Sequence, residues 1–113
     1  MKKTKIELQI NDYFLKSTGY LNKNILSFFD KDQNKTEMII DFNTNRFIRN
    51  NNEIKIEIDF NKEEVEYHLK KEDLKFTQDI KTIMLKKSNN EYIINYQIEE
   101  NPFVLNIKYE EEQ

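Results

Sequence analysis

The most constraining stretch of this chain is its middle, where Ile54, Ile56, Ile58 and Phe60 alternate with Lys55, Glu57 and Asp59. Successive side chains of a β-strand point to opposite faces, so a period of two gives one apolar and one charged face. Val65, Tyr67 and Leu69 repeat the pattern after a short polar break around Asn61-Lys62. Two such runs joined by a polar turn read as a β-hairpin.

The rest of the chain repeats this unit. Ile6, Leu8 and Ile10 form a first strand broken by Asn11-Asp12, and residues 14–20 a second that ends at Gly19, the sole glycine. Residues 25–29 make a third, followed by the polar loop 30–35. Met38, Ile40 and Phe42 alternate in a fourth strand, and residues 46–49 make a short fifth before the central hairpin. After a turn at 70–73, Leu74 and Phe76 start another strand. Residues 80–85 are either its continuation or a separate strand, and a single helical turn at 77–79 is also compatible. Tyr92, Ile94, Tyr96 and Ile98 alternate next. Asn101-Pro102 then leads into Phe103, Leu105, Ile107 and Tyr109, with the proline at a strand start because it cannot donate to a ladder.

No segment sustains a 3.6-residue apolar period. The alternation suits a barrel or a two-layer antiparallel fold equally, and closure into a barrel removes exposed strand edges. The expectation is therefore an all-β, antiparallel up-and-down β-barrel of about eight to ten short strands, one domain over residues 1–113. Composition agrees: hydrophobic residues make up 37% of the chain, with no Ala, the best helix former, and no Trp.

Composition also narrows the chemistry. With no Cys there are no disulfides and no thiol catalysis. The net charge of −3 is spread over interspersed acids and bases, without the basic stripe that nucleic-acid binding requires. The basic start Met1-Lys2-Lys3 leads into alternation rather than a signal-peptide core, and no apolar run approaches the roughly 18 residues of a membrane span. A soluble, cytoplasmic protein is expected, with no membrane and no nucleic-acid partner. Glu110-Glu111-Glu112 reads as a frayed, solvated tail.

The order of motifs resembles the YwiB-type family of bacterial proteins, for which no activity is established. The resemblance runs from about Phe14 to Tyr109. It is carried by Ser17-Thr18-Gly19-Tyr20, Ile25-Leu26-Ser27-Phe28-Phe29-Asp30, Arg49, Ile54-Lys55, Tyr67, Thr82, Ile94-Asn95-Tyr96 and Ile107-Lys108-Tyr109-Glu110. It implies a lipocalin-like (calycin-like) β-barrel and supplies no site. The chain departs from the pattern at the short turns Asn61-Lys62 and Lys71-Glu72-Asp73, where relatives often carry glycines. It also lacks the Gly-x-Trp signature of true lipocalins.

Candidate sites are few. His68, the sole histidine, is out of phase with Val65, Tyr67 and Leu69 and reads as a surface residue. With one His, no Cys and no Gly-x-Ser-x-Gly, a nucleophile triad has little to stand on, and a Cys/His zinc site is excluded by count. Asp30-x-Asp32-x-Asn34 opens like a calcium loop but has Lys35 and Asp41 where Gly and Glu are required, so it reads as a polar hairpin loop. Glu63-Glu64 and Glu99-Glu100 are sequence neighbours that point apart on a strand and read as solvated turns. No cofactor and no metal are expected.

Arg49 is in phase with Phe47 and so points where the apolar face points. A buried guanidinium must be paired or stacked, and structural pairing that locks the barrel is its first expected role, binding of an anionic ligand its second. Tyr67 and Tyr96 lie on apolar faces with hydroxyls that need partners; core packing is their first expected role and ligand contact the second. With Ile, Phe, Leu and Tyr at nearly every inward position, the barrel is expected to be mostly filled, with a small pocket at one mouth. Three functions follow. A non-enzymatic binding protein would take a small apolar or anionic molecule at the mouth through Arg49, Tyr67 and Tyr96. A protein-interaction module or homodimer would use exposed aromatics among Tyr13, Phe14, Phe28 and Phe29. An enzyme ranks last, because no catalytic set can be assembled.

Overall fold

The computed structural model describes residues 1–112 and contains strands and turns but no helix among them. The strands, in chain order, are β1 (Lys2–Ile10), β2 (Tyr13–Asn22), β3 (Ile25–Phe29), β4 (Glu37–Asp41), β5 (Arg46–Asn50), β6 (Ile54–Asp59), β7 (Glu64–Leu69), β8 (Leu74–Lys87), β9 (Glu91–Ile98) and β10 (Asn101–Glu111). Each pairs antiparallel with its sequence neighbours, and β1 also pairs with β10, so the sheet closes into a ten-stranded up-and-down barrel. This is an architecture compatible with a lipocalin-like barrel. Short turns favour such a meander, because an antiparallel neighbour is the only partner they can reach.

The central alternation is read out as expected. Ile58 and Val65 face each other across β6 and β7 and are 6% and 0% exposed. Leu8, Leu26, Met38, Ile40, Ile94, Leu105 and Ile107 fill the middle of the barrel and are fully buried. The stretch after the turn at 70–73, open between two strands and one, forms the single long strand β8. A bulge between Thr82 and Met84 absorbs one extra residue and bends it. No helical turn interrupts it.

Two expectations are corrected. Gly19 does not end β2, which continues to Asn22. It is a packing glycine: a Cβ there would lie 2.1 Å from the Ser27 carbonyl oxygen and 2.7 Å from the Phe28 Cβ. Its φ is not positive; the constraint is space alone. The acidic tail is not frayed either. Glu110 and Glu111 belong to β10 and pair with Lys5 and Thr4, and the Glu112 amide donates to the Lys3 carbonyl at 2.8 Å. Lys2 and Glu111 are 3.2 Å apart, and Lys3 and Glu112 3.8 Å, so the basic start and the acidic end meet at the closing seam.

With its one glycine used for packing, the chain turns on other residues. Asn11, Lys23, Lys35, Asn45, Glu63, Asp73 and Glu99 all take left-handed backbone with φ between 49° and 59°. Side-chain oxygens compensate: Asp59 accepts the Asn61 and Lys62 amides, Asp41 those of Asn43 and Thr44, and Asn51 those of Glu53 and Ile54.

Gly19→Ala should therefore destabilise the barrel by about 3 kcal/mol or more, since the added methyl meets backbone that cannot swing away. Urea unfolding of the purified variant measures this; a change under about 1 kcal/mol would show that β2 and β3 do not approach this closely.

Candidate functional site

The two ends of the barrel differ. One end carries the β2–β3, β4–β5, β6–β7 and β8–β9 turns and is plugged by rings. Phe42 packs edge-on to Tyr92 at 5.1 Å and stacks on Tyr109 at 5.0 Å, and the Tyr92 hydroxyl donates to the Asn45 side-chain oxygen at 2.8 Å. Lys87 lies over the Tyr92 ring, 5.8 Å from its centroid.

The other end is the mouth. A single cross-strand row climbs to it: Phe28, Met38, Arg49, Ile56, Tyr67, Phe76, each directly opposite the next. Directly paired residues share a face, so all six point inward. Phe28 and Met38 are buried, whereas Phe76 is 46% exposed, and Leu74 in the next row is 51% exposed. The row thus leaves the filled core and ends on an open apolar rim. Tyr67 stacks on Phe76 at 4.8 Å; deeper, in the core, the buried Tyr96 stacks on Phe103 at 5.3 Å and meets Phe60 of the β6–β7 turn edge-on at 5.1 Å.

All three sequence-derived residues face this end. Burial pushes the Tyr96 hydroxyl up to about 12 while the Arg49 charge pulls it down and Tyr67 pushes it up, so the three sense one another across the interior. The Tyr67 hydroxyl is engaged: it donates to Gln78 at 3.3 Å, and Gln78 donates to Glu99 at 2.9 Å. Burial, then the charge of Glu99, raises its pKa. The hydroxyl of Tyr67 therefore has a protein partner.

Arg49 is placed as expected but does not do what was first expected of it. No carboxylate lies within 4.0 Å of its guanidinium among the described residues, and its buried Nε has no hydrogen-bond partner. The structural ion pairs belong to Arg46, which is outside the barrel, 3.4 Å from Asp59 and 3.8 Å from Glu57. Arg49 is half-buried without a direct ion pair, and the acids whose surroundings it shares, Asp30 and Asp32, are bonded to Tyr13 and Thr36 instead.

Sequence reasoning missed two members of this end. Tyr13, one of the aromatics among which exposed anchors were expected, is 44% exposed, but it has inward parity opposite Ile10, and its hydroxyl donates to Asp30 Oδ1 at 2.5 Å. That bond, with burial and the charge of Asp30, lifts the Tyr13 hydroxyl to about 12, against the opposing pull of Arg49. Asp30, expected as an ordinary loop residue, is 8% exposed and also accepts the Lys31 amide at 2.7 Å. The period of two was the available signal, since Tyr13 is in phase with Leu15. Phe28 is a correction of the same kind: it is 2% exposed core, while its neighbour Phe29 faces out at 56%.

The calcium-like loop is turned on itself. Asp32 accepts the Thr36 hydroxyl at 2.6 Å and the Thr36 amide at 2.9 Å, which hold its carboxyl below the ordinary value of 3.8, with Arg49 adding to the effect. His68 lies off the inward row, its Nε2 3.2 Å from Asp73.

Two surface grooves lie elsewhere. One of about 930 Å³ crosses the outer faces of β2, β1 and β10. Its charges cancel across the strands, as Lys16 is 3.9 Å from Glu7 and Lys108 is 3.8 Å from Glu91. Another, of about 610 Å³, lies between the β3–β4 loop and the β5–β6 turn, where Lys70 donates to Asn50 at 2.7 Å and to the Asn51 carbonyl at 2.6 Å. Compared with protein-family models, with curated proteins and with solved structures, the chain finds no match.

Two outcomes follow. Arg49→Met, similar in volume and uncharged, should leave the unfolding free energy of the ligand-free protein unchanged or raise it by up to about 1 kcal/mol. Urea unfolding checks this, and a clear loss would mean that the cation holds the barrel together. A depressed carboxyl contributes stability that is complete above its unfolded value and is lost as pH falls through the folded one. Thermal melts between about pH 6 and pH 2 should therefore show the wild type losing more melting temperature than Asp32→Asn, with the variant already lower at pH 6.

Proposed function

We propose that this chain is a non-enzymatic binding protein that takes a small apolar or anionic molecule at the barrel mouth, with Arg49, Tyr67 and Tyr96 as contacts. One observation carries the reading: Arg49 lies on the inward row among the rings of this barrel end, its buried Nε has no hydrogen-bond partner, and no carboxylate of the described residues pairs with it directly. Small-molecule sites are typically apolar with few polar groups, and the partly exposed Phe76 and Leu74 beside Tyr67 and Arg49 supply that composition. The resemblance to the YwiB-type barrels fits the reading, as does a cytoplasmic setting for a cysteine-free chain of mixed charge. No helix of the described residues is long and apolar enough to cross a membrane.

A second reading, a protein-interaction module or homodimer, rests on the outer face. Tyr20 and Ile25 there are 48% and 44% exposed, next to Phe29, and Tyr20 shares an outward row with Ile39 and Ile48. Phe28 is removed from that set by its burial.

Native mass spectrometry of protein purified gently from its own host, compared with the denatured mass, separates the two. The first reading expects an excess mass that disappears on unfolding and is missing from Arg49→Gln. A dimer without adduct would replace it with the second.

A further inference from the structure

We infer that the groove of about 610 Å³ on the outside of the barrel, between the β3–β4 loop and the β5–β6 turn, is a binding site for a neutral saccharide. None of Arg49, Tyr67 and Tyr96 lines it, so the inference stands independently of the mouth.

The floor of the groove is one outward cross-strand row, Phe29, Glu37 and Asn50, each directly opposite the next. Two inter-strand steps of roughly 4.8 Å span it, the length of one or two sugar rings. The walls are braced through the buried Thr36. Its hydroxyl donates to Asp32 at 2.6 Å and accepts the Asn51 side-chain amide at 2.9 Å, which ties the β3–β4 loop to the β5–β6 turn. Asn51 Oδ1 in turn accepts the Glu53 and Ile54 amides, and the Lys70 amide donates to the Glu53 carbonyl at 2.9 Å. A site held in shape by its own frame binds without first ordering its walls.

The free groups define the ligand. Lys70 donates to Asn50 Oδ1, which fixes the orientation of that amide and leaves its NH₂ as a donor. Gln33, Asn34 and Asn52 line the groove from exposed positions, and no protein partner among the described residues takes their side-chain amides. Each of these amides both donates and accepts, as each hydroxyl of a sugar does. Lys35 and Lys70 are matched by Glu37 and Glu53, so the groove as a whole is neutral. An anion lying along the floor would meet Glu37 midway. A cation would meet the two lysines, with no group of three acids among the described residues to hold it. Phe29, 56% exposed at one end of the floor, is the one apolar side chain that lines the groove. Its ring suits the C–H face of a pyranose, which is apolar on that face and hydroxylated at its edge. A wholly apolar ligand would instead desolvate the amides and carboxylates without pairing them.

The test titrates maltose, cellobiose and N,N′-diacetylchitobiose into the full chain, with glycerol and adenosine as comparison probes, and follows backbone amides in ¹H–¹⁵N spectra. At least one disaccharide should give saturable shifts confined to residues 29–37, 50–53 and 70 at millimolar concentration, where glycerol gives none. Phe29→Ala, at an exposed position, should weaken that binding by about fivefold or more. Asn50→Asp keeps the acceptor for Lys70 but removes the amide donor, and should weaken it to a similar degree. Spectra of both variants that otherwise match the wild type establish that each is folded. Shifts shared with glycerol, preferential binding of adenosine, disaccharide shifts confined to another surface, or none from any disaccharide would overturn the assignment. So would binding whose affinity either variant leaves unchanged.

Discussion

The fold depends on closure of the seam between β1 and β10. A ten-stranded meander left open would present two unpaired edges, each a template for another chain. Here Ile10, Leu8 and Ile6 pair with Leu105, Ile107 and Tyr109, and the ladder ends with Thr4 opposite Glu111. The seam's inward side chains belong to the core, Leu8 and Ile107 both being fully buried. Its outer side is electrostatic, with lysines of β1 opposite glutamates of β10. Exposed pairs of this kind contribute at most about 1 kcal/mol each, so burial closes the barrel and charge selects the register. An acidic tail and a basic start that look like solvated ends are in fact the two halves of the closing contact.

Closure also explains the contrast between the two barrel ends. At the plugged end Phe42, Tyr92 and Tyr109 fill the opening, and the one deeply placed hydroxyl finds Asn45. At the mouth the inward row runs past the last filled layer to Tyr67, Phe76 and Leu74, and apolar surface is left in contact with water. Arg49 sits where these regimes meet. A hydrophobic residue of its size would pack against Met38 and Ile56 without a desolvation cost, so its presence there works against stability. Residues that work against stability and are built into rigid elements point to function.

Much of this was legible from residues alone. Most strands were visible as alternation or as apolar runs between polar turns, and Arg49 was placed inward because it shares the parity of Phe47. The same rule, applied strictly, would have shortened the set of candidate outer-face aromatics. Tyr13 and Phe14 are neighbours on one strand, as are Phe28 and Phe29, so only one of each pair can face out. Phe14 and Phe29 do, while Tyr13 and Phe28 face in. The joint at 77–79 could not be resolved in the same way. A bulge adds a residue without a sequence marker, and whether β8 continues through it depends on the β9 residues it meets.

The sequence by itself determined which residues are strands and which face each side chain takes, because parity along a strand is a local property of the pleated backbone. It also determined that most inward positions are large, and hence that the barrel is filled. Only the tertiary structure decided what stands opposite what. Register and closure are set by pairings between distant residues, and they leave Arg49 without a carboxylate, bring Asp30 onto Tyr13, and tie the acidic end to the basic start. Local chemistry chose the side chains of the mouth; long-range pairing chose their neighbours, and the neighbours give Arg49 its meaning.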